Sequence, residues 1–371
     1  MKLAYQERIG MAEVPVARPR LPTADDILPF LREIDAHQWY SNFGPLNDRL
    51  QAALSDHLGG PAVVCCANAT VGLTAALMAQ DAPRGSLCAM PSWSFAASAH
   101  AVIMAGLVPW FVDVDATTQA LQPEALREFL PAAPGPVGAV MPVMPYGAPL
   151  DLGPWDEFRA DTGIAVAVDA AAAFDTLRPS RVPAVVSLHA TKVLGIGEGG
   201  LIACNDEALA RRLIRILNFG FLGSREATEV AANGKLSEYG AAIGLAALAD
   251  WRNIRADFQR VGATYHAALA GGGVGELQAG YGADWVASTC MVGLPASSAA
   301  EIESRLAASG IATRRWWGGG LHRHAAFAGF PRLPLHATEH LAVTQLGLPC
   351  WRDLPDEAIH RICERVTASG R

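Results

Sequence analysis

The chain has 371 residues, 51% of them hydrophobic and 18% charged, which is enough apolar material for a sizeable core and excludes a disordered chain. Its formal net charge of −7 is spread along the sequence, arguing against nucleic acid or an anionic membrane surface as partner. The seven cysteines show no C-x-x-C and no Cys/His metal spacing; with no signal-peptide core and no membrane-length apolar run, a reducing, cytoplasmic setting without a metal site is expected.

In chain order, residues 1–22 form a Pro-containing arm without a strong period, expected to wrap a neighbour rather than build a core. Thr23 then reads as the N-cap of a helix in "TADDILPFLREIDAH". A second amphipathic helix, "LNDRLQAALSDHLG", ends at Gly59 and Gly60. From there short apolar runs alternate with helical segments. "AVVCCA", "SLCAMP", "VPWFVDVD", "VGAVMPVMP" and "IAVAVDAA" read as strands; "TVGLTAALMAQD", "SFAASAHAVIMAG", "PEALREFL" and "WDEFRADTG" as helices. This alternation predicts an α/β fold with a mostly parallel mixed sheet flanked by helices. Cys65 and Cys66, at the end of the first strand, read as small buried hydrophobes. After residue 205 a long helical zone runs through "EYGAAIGLAALADWRNIRADFQRVGATYHAAL", and a smaller α+β segment follows "AGGGVGE". The organisation expected is an arm and helix over 1–44, a large domain over 45–250 and a small C-terminal domain over 251–371.

The stretch "SLHATKVLGIGEGG" places Gly195, Gly197 and Gly200 in a G-x-G-x-x-G pattern. A dinucleotide fingerprint needs a helix opening out of those glycines. Here Leu201 to Cys204 read as a strand, and the next helix begins only after Asn205 and Asp206. Without a helix N-terminus in the loop, the phosphate-cradling mechanism fails. What remains is Lys192, a lysine presented by a compact glycine-rich hairpin.

Two further features stand upstream. Asp169 ends a strongly apolar strand, so its carboxylate is expected to be partly buried and to need a cationic partner or a capping role. Asn68, Ala69 and Thr70 lie where a strand meets a helix start, either an anion site or an ordinary N-cap. A helix N-terminus for a phosphate, an Asp for a ring nitrogen and a lysine for an aldehyde are together the requirements of pyridoxal 5'-phosphate (PLP).

The matching blocks run from about residue 36 to the end: "WYSNFGPLNDRLQAAL", "ANATVGLTAAL", "PSWSFAASAHAVIMAG", "VPWFVDVD", "PVMPYGAPLDL", "VDAAAAFD", "SLHATKVLGIGEGG", "NGKLSEYGAAIGLAAL" and "LGLPCWRDLPDEAIHRIC". In these the chain resembles the DegT/DnrJ/StrS sugar-nucleotide aminotransferases, within the fold-type-I PLP enzymes. The resemblance implies Lys192 as Schiff-base lysine and proton shuttle, and Asp169 against the pyridinium nitrogen. Phe95 would stack on the ring, with Trp93 as second candidate. Asn68, Ala69, Thr70 and Ser187 would hold the phosphate. Asn233 would reach a phosphate across a homodimer interface. His189 either packs under the loop or joins the chemistry. Ala172 departs from the family, which usually has Gln or His there, and so puts the usual substrate pose in question.

The implied activity is amino transfer from an amino acid, expected to be glutamate, to a nucleotide-linked keto-deoxysugar. The "NGKLSE" block, the Trp316–Trp317 pair and "GLH" point to dTDP-4-keto-6-deoxyglucose aminated at C4. Arg314, Arg315, Trp316, Trp317, His322 and His324 cluster in sequence. They suit a diphosphate and a base or sugar, with Trp317 and His322 the candidate substrate contacts; the alternative is a core tryptophan pair with surface arginines. Relatives with His in place of the lysine are sugar dehydratases, so Lys192 favours transamination over a dehydratase or a non-catalytic regulatory relative.

Overall fold

The computed structural model describes residues 13–270 and 273–368. Thr23 opens the first helix, α1 (Ala24–His37), with a reciprocal capping box: its hydroxyl accepts the Asp26 N–H, and the Asp26 carboxylate accepts the Thr23 N–H at 2.8 Å. α2 (Pro45–His57) starts on a proline, which costs nothing where the N–H has no partner. The described part of the arm corrects one expectation. It docks on its own chain: Val14 is buried and bridges Ile311, and the Cys350 N–H donates to the Val16 carbonyl at 3.1 Å. An apolar Val14 has a core to enter, so this described part of the arm packs as part of the fold.

The expected alternation follows as β1 (Ala62–Cys66), α3 (Ala69–Met78), β2 (Leu87–Pro91), α4 (Ala96–Met104), β3 (Val108–Val112), α5 (Pro123–Phe129) and β4 (Val137–Val140). Next come α6 (Gly153–Thr162), β5 (Ala165–Val166), β6 (Val168–Asp169), β7 (Ala184–Ser187), β8 (Gly200–Cys204) and α7 (Glu207–Leu217). β5 and β6 are one run broken at Ala167: its N–H bonds the Val140 carbonyl, while the Val168 N–H bonds that of Pro183. The two ladders therefore join into one layer in the order β3-β2-β4-β5/β6-β7-β8-β1. All neighbours are parallel except those of β8, which runs antiparallel to both β7 and β1.

Both faces of this layer are covered. Cys65, Leu87 and Ala89 enter one apolar cluster, while Val64, Cys66, Cys88 and Met90 enter another. Successive strand residues point to opposite faces, which is why the strands read as continuous apolar runs. All seven cysteines are buried and free, and burial pushes the Cys66 thiol up to about 12.

The helical zone expected after residue 205 is interrupted over 218–237, where Phe219, Gly220 and Gly223 take positive φ values that no helix accommodates. It resumes as α8 (Glu238–Ala249) and α9 (Trp251–Leu269). β9 (Glu276–Leu277), β10 (Cys290–Gly293), α10 (Ala299–Ala308), α11 (His336–Thr344), β11 (Gln345–Leu348) and α12 (Asp356–Thr367) complete the chain. Their strands form a small antiparallel sheet in the order β11-β10-β9.

Candidate active site

The parallel strands β1, β2, β4, β6 and β7 all end on one edge of the large sheet. Ligands of open α/β sheets bind beyond such carboxyl ends, and here a cavity of about 480 Å³ opens there. Asn68, Ala69 and Thr70 after β1, Ser94 and Phe95 after β2, Asp169 at the end of β6, and Ser187 at the end of β7 all line it. So do Lys192, His189 and Glu198 from the glycine loop, and Arg314, Trp316 and Trp317 from the C-terminal part.

The glycine loop joins strand to strand. Ser187 pairs with Gly200 across the β7–β8 ladder, so residues 188–199 leave and return at one point. Inside it, the Ala190 N–H bonds the Gly197 carbonyl at 2.8 Å and the Ile196 N–H bonds that of Leu188 at 2.8 Å. Val193, Leu194 and Ile196 anchor the loop in the core. A Cβ on Gly195 would lie 2.6 Å from the Ala190 carbonyl oxygen, so only glycine lets the turn close this tightly. This anchored loop places Lys192 at the cavity wall.

Lys192 and Asp169 face one cavity. Burial pulls the Lys192 amine below the ordinary lysine value, against the Asp169 charge, which pulls it up. Burial likewise pushes the Asp169 carboxyl above the ordinary carboxylate value. Hydrogen bonds from Ser98 and the Ala171 N–H, and the Lys192 charge, oppose that rise. A buried carboxylate shifted upward is short of positive charge, and a protonated ring nitrogen would supply it.

The anion end is built from backbone. Asn68 caps α3 by accepting the Val71 N–H at 3.0 Å. That side chain therefore braces the helix, and the N–H groups of Ala69 and Thr70, without intrahelical partners, are left at the cavity. Gly200 makes this approach possible, because a Cβ there would stand 2.9 Å from the Ala69 nitrogen. The buried Ser187 hydroxyl accepts the His189 N–H at 3.2 Å and keeps its own proton to donate. Two N–H groups, a hydroxyl and a helix N-terminus suit a phosphate. These residues fit PLP.

The aromatic candidates separate by exposure. Phe95 is 61% exposed on the cavity wall, whereas Trp93 is 2% exposed and spends its indole N–H on Gln119. Trp317 lines the cavity, stacked on Tyr146 with ring centroids 4.0 Å apart. Arg314 lies over the Trp316 ring, its Cζ 4.7 Å from the centroid. Arg315 turns away to Glu303 and the Ala342 carbonyl.

Other residues are not brought in. His322 is not among the residues that line the cavity; it is buried, with its Nδ1 2.8 Å from the Ser92 hydroxyl. His324 is exposed beside Phe327. Asn233 sits on the surface, accepting from Lys235 Nζ at 2.7 Å, apart from this chain's own cavity. His189 does not pack under the loop: its side chain is 45% exposed, with Nδ1 2.8 Å from the Thr191 hydroxyl and Nε2 3.7 Å from Glu198. Sequence reasoning missed Ser94, Ser98 and Tyr146. The two serines carried a signal, since they flank Phe95 at helical spacing; Tyr146 carried none.

Residues 23–367 match the model of the DegT/DnrJ/EryC1/StrS aminotransferase family. The chain belongs to this family. This aminotransferase is 31% identical to protein Rv3402c of Mycobacterium tuberculosis over 373 residues, 95% of this chain and 89% of that one. It is 33% identical to a dTDP-4-amino-4,6-dideoxy-D-glucose transaminase of Shigella dysenteriae over 237 residues, 62% of this chain and 63% of that one. The crystal structure of DesI in the presence of its TDP-sugar product superimposes with a TM-score of 0.85 at 28% identity, covering 96% of this chain and 92% of that one. PLP is the cofactor of the aminotransferase. No helix among its described residues is long and apolar enough to cross a membrane.

Proposed function

We propose that this aminotransferase moves an amino group from glutamate to a keto-deoxysugar carried on a nucleoside diphosphate, with dTDP-4-keto-6-deoxyglucose aminated at C4. The observation that carries the reading is the convergence of Lys192, Asp169 and the α3 N-terminus on one cavity that Trp317 and Arg314 also line. The Shigella dysenteriae relative and the DesI structure support the choice of a dTDP-linked sugar.

When bound, PLP supplies an aldehyde for the amine and a ring that withdraws electrons from the carbon bearing the mobile proton. The N–H groups of Ala69 and Thr70, on a helix whose N-terminus Asn68 orders, and the Ser187 hydroxyl would hold its phosphate. Phe95 would pack against the ring, and Asp169 would favour a protonated ring nitrogen. Lys192, lowered in basicity by burial, would in its neutral form be the base that holds and moves the mobile proton of the donor's α-carbon. Trp317 bounds the sugar's side of the cavity and Arg314 meets the diphosphate. Ala172 leaves space where a larger polar residue would narrow the cavity floor. Asn233 serves the phosphate of a second copy in a homodimer; Phe219, Leu222 and Val230, all exposed in its own segment, give that segment an apolar surface to bury.

The test has two halves. Glutamate added to the PLP-loaded protein should convert the cofactor to its amine form, and borohydride should fix the cofactor to Lys192. A panel of nucleotide-linked keto sugars should then return it to the aldehyde form, dTDP-4-keto-6-deoxyglucose fastest. Failure of the first half overturns catalysis, and a different sugar leading the panel overturns the substrate assignment.

A further inference from the structure

The Asp169 carboxylate is held from both sides inside the protein. It is 5% exposed; Oδ1 accepts the Ala171 N–H at 3.1 Å and Oδ2 accepts the Ser98 hydroxyl at 2.6 Å. An ionised carboxylate can only accept, so the single Ser98 proton points at Asp169. Ser98 Oγ also lies 2.7 Å from Ser94 Oγ. With its own proton committed, Ser98 must accept there, and Ser94 must donate. The result is a hydroxyl chain polarised in one direction, Ser94 to Ser98 to Asp169.

Its surroundings strengthen it. Ser98 is 0% exposed and Ser94 1%, so water does not compete for these hydroxyls, and hydrogen bonds in such a chain polarise one another. The spacing has a structural cause. Ser94 sits just before the start of α4 and Ser98 is one turn further on, so their hydroxyls meet on one face. Phe95 lies between them and projects into the cavity, which Ser94 also lines.

We propose that Ser98, ordered by Ser94, is a positioning residue that fixes the Asp169 carboxylate as the anionic partner of the cofactor's ring nitrogen. The proposal rests on the reading of Asp169 as that partner. Hydrogen bonding from Ser98 favours the charged form of Asp169 where burial alone disfavours it. Without that bond the carboxylate keeps its burial but loses a donor aimed at it and gains freedom to turn.

The experiment is a double-mutant cycle read as the dissociation constant of PLP, measured by titrating each apo protein with the cofactor and following bound-cofactor absorbance. Ser98→Ala should weaken PLP by about tenfold, the size expected for one hydrogen bond to a charged group. Ser94→Ala, which keeps the Ser98 hydroxyl but unties it, should weaken PLP by less. In an Asp169→Asn background, Ser98→Ala should cause no further loss. Thermal melting of each apo variant checks folding, and Ser94→Ala carries the test if Ser98→Ala does not fold. An unchanged constant for Ser98→Ala overturns the proposal. Equal losses in both backgrounds show a role in packing alone and also overturn it. If Asp169→Asn itself leaves PLP binding intact, the Asp169 assignment falls first and takes this inference with it.

Discussion

The Trp317 indole lies face to face on the Tyr146 ring, 17° from parallel, and joins a C-terminal loop to the segment after β4. Tyr146 carries two costs at that contact. Its φ of +56° is in the left-handed region, unusual for a bulky residue, and its hydroxyl is buried without a partner among the described residues. Tyr146→Phe removes the unpaired hydroxyl and keeps the stack. The apo variant should melt at or above the wild-type temperature. A rise in KM for the keto sugar with unchanged PLP affinity would mark the hydroxyl as a substrate donor; a lower melting temperature would show a protein partner for it.

With Lys192 as the proposed base, its titration sets the pH dependence of the first half-reaction. Burial lowers its pKa, so the neutral form grows in at a lower pH than for an exposed lysine. The rate of glutamate-dependent cofactor conversion should therefore rise with pH through an inflection below the ordinary lysine value. Asp169 raises the Lys192 pKa, so Asp169→Asn should move this inflection lower still. Lys192→Ala should reduce the rate by about 10²–10⁴-fold, the range of general base contributions, and abolish borohydride trapping.

Asp169 ties stability against function. Its folded-state pKa is raised above the ordinary value. A group of this sign contributes stability below its unfolded pKa and loses that contribution as pH rises through the folded one. Above that folded-state value the apo protein carries a buried charge at a net cost. Asp169→Asn should melt at or above the wild type without cofactor once pH exceeds the raised folded value, and the advantage should shrink as pH falls from that value to the ordinary carboxylate value. The same variant should bind PLP more weakly, so its gain from added cofactor should be smaller in parallel melts.

Much of this was legible before any coordinates, for physical reasons that differ by residue. Strands buried on both faces leave unbroken apolar runs, so β1 to β6 were readable. The false dinucleotide motif was exposed by the strand at 201–204, because a phosphate cradle needs a helix there. What escaped was set by tertiary contacts. His322 has the chemistry of a ligand contact, yet its position behind Ser92 depends on how the C-terminal loop crosses β2. The arm's docking through Val14 rests on a backbone pairing with Ile311 nearly three hundred residues away, which no local pattern encodes. Arg314 and Arg315 are neighbours of one type, and only the fold sends them to opposite sides.

That separation is itself testable. Arg314 lines the cavity over Trp316 and has no carboxylate partner among the described residues, while Arg315 is held by Glu303 at 2.9 Å. Arg314→Ala should raise KM for the nucleotide sugar by about tenfold or more, as expected when a charge-assisted contact is lost, and leave PLP affinity unchanged. Arg315→Ala should leave KM alone and cost only modest stability, since a part-exposed ion pair contributes about 1 kcal/mol or less. The reverse pattern would place the diphosphate elsewhere.

The glycine loop offers a matched pair of substitutions. Gly200 lies under the start of α3, where a Cβ would meet the Ala69 nitrogen at 2.9 Å and the Asn68 carbonyl carbon at 3.0 Å. Both are backbone atoms and cannot rotate aside, so Gly200→Ala must push the helix N-terminus away from Ser187. Overpacking of this kind costs about 1–3 kcal/mol, and part of it should appear as weaker PLP binding, because the displaced N–H groups are those aimed at the phosphate. Gly197 is a control in the same loop. It has φ of +99° and open space where a Cβ would go, so Gly197→Ala brings backbone strain without a clash at the helix. Melting temperature should fall in both variants, and the PLP dissociation constant should rise in Gly200→Ala alone. A rise of equal size in both would mean that the loop's rigidity, rather than the approach of α3 to β8, governs the phosphate site.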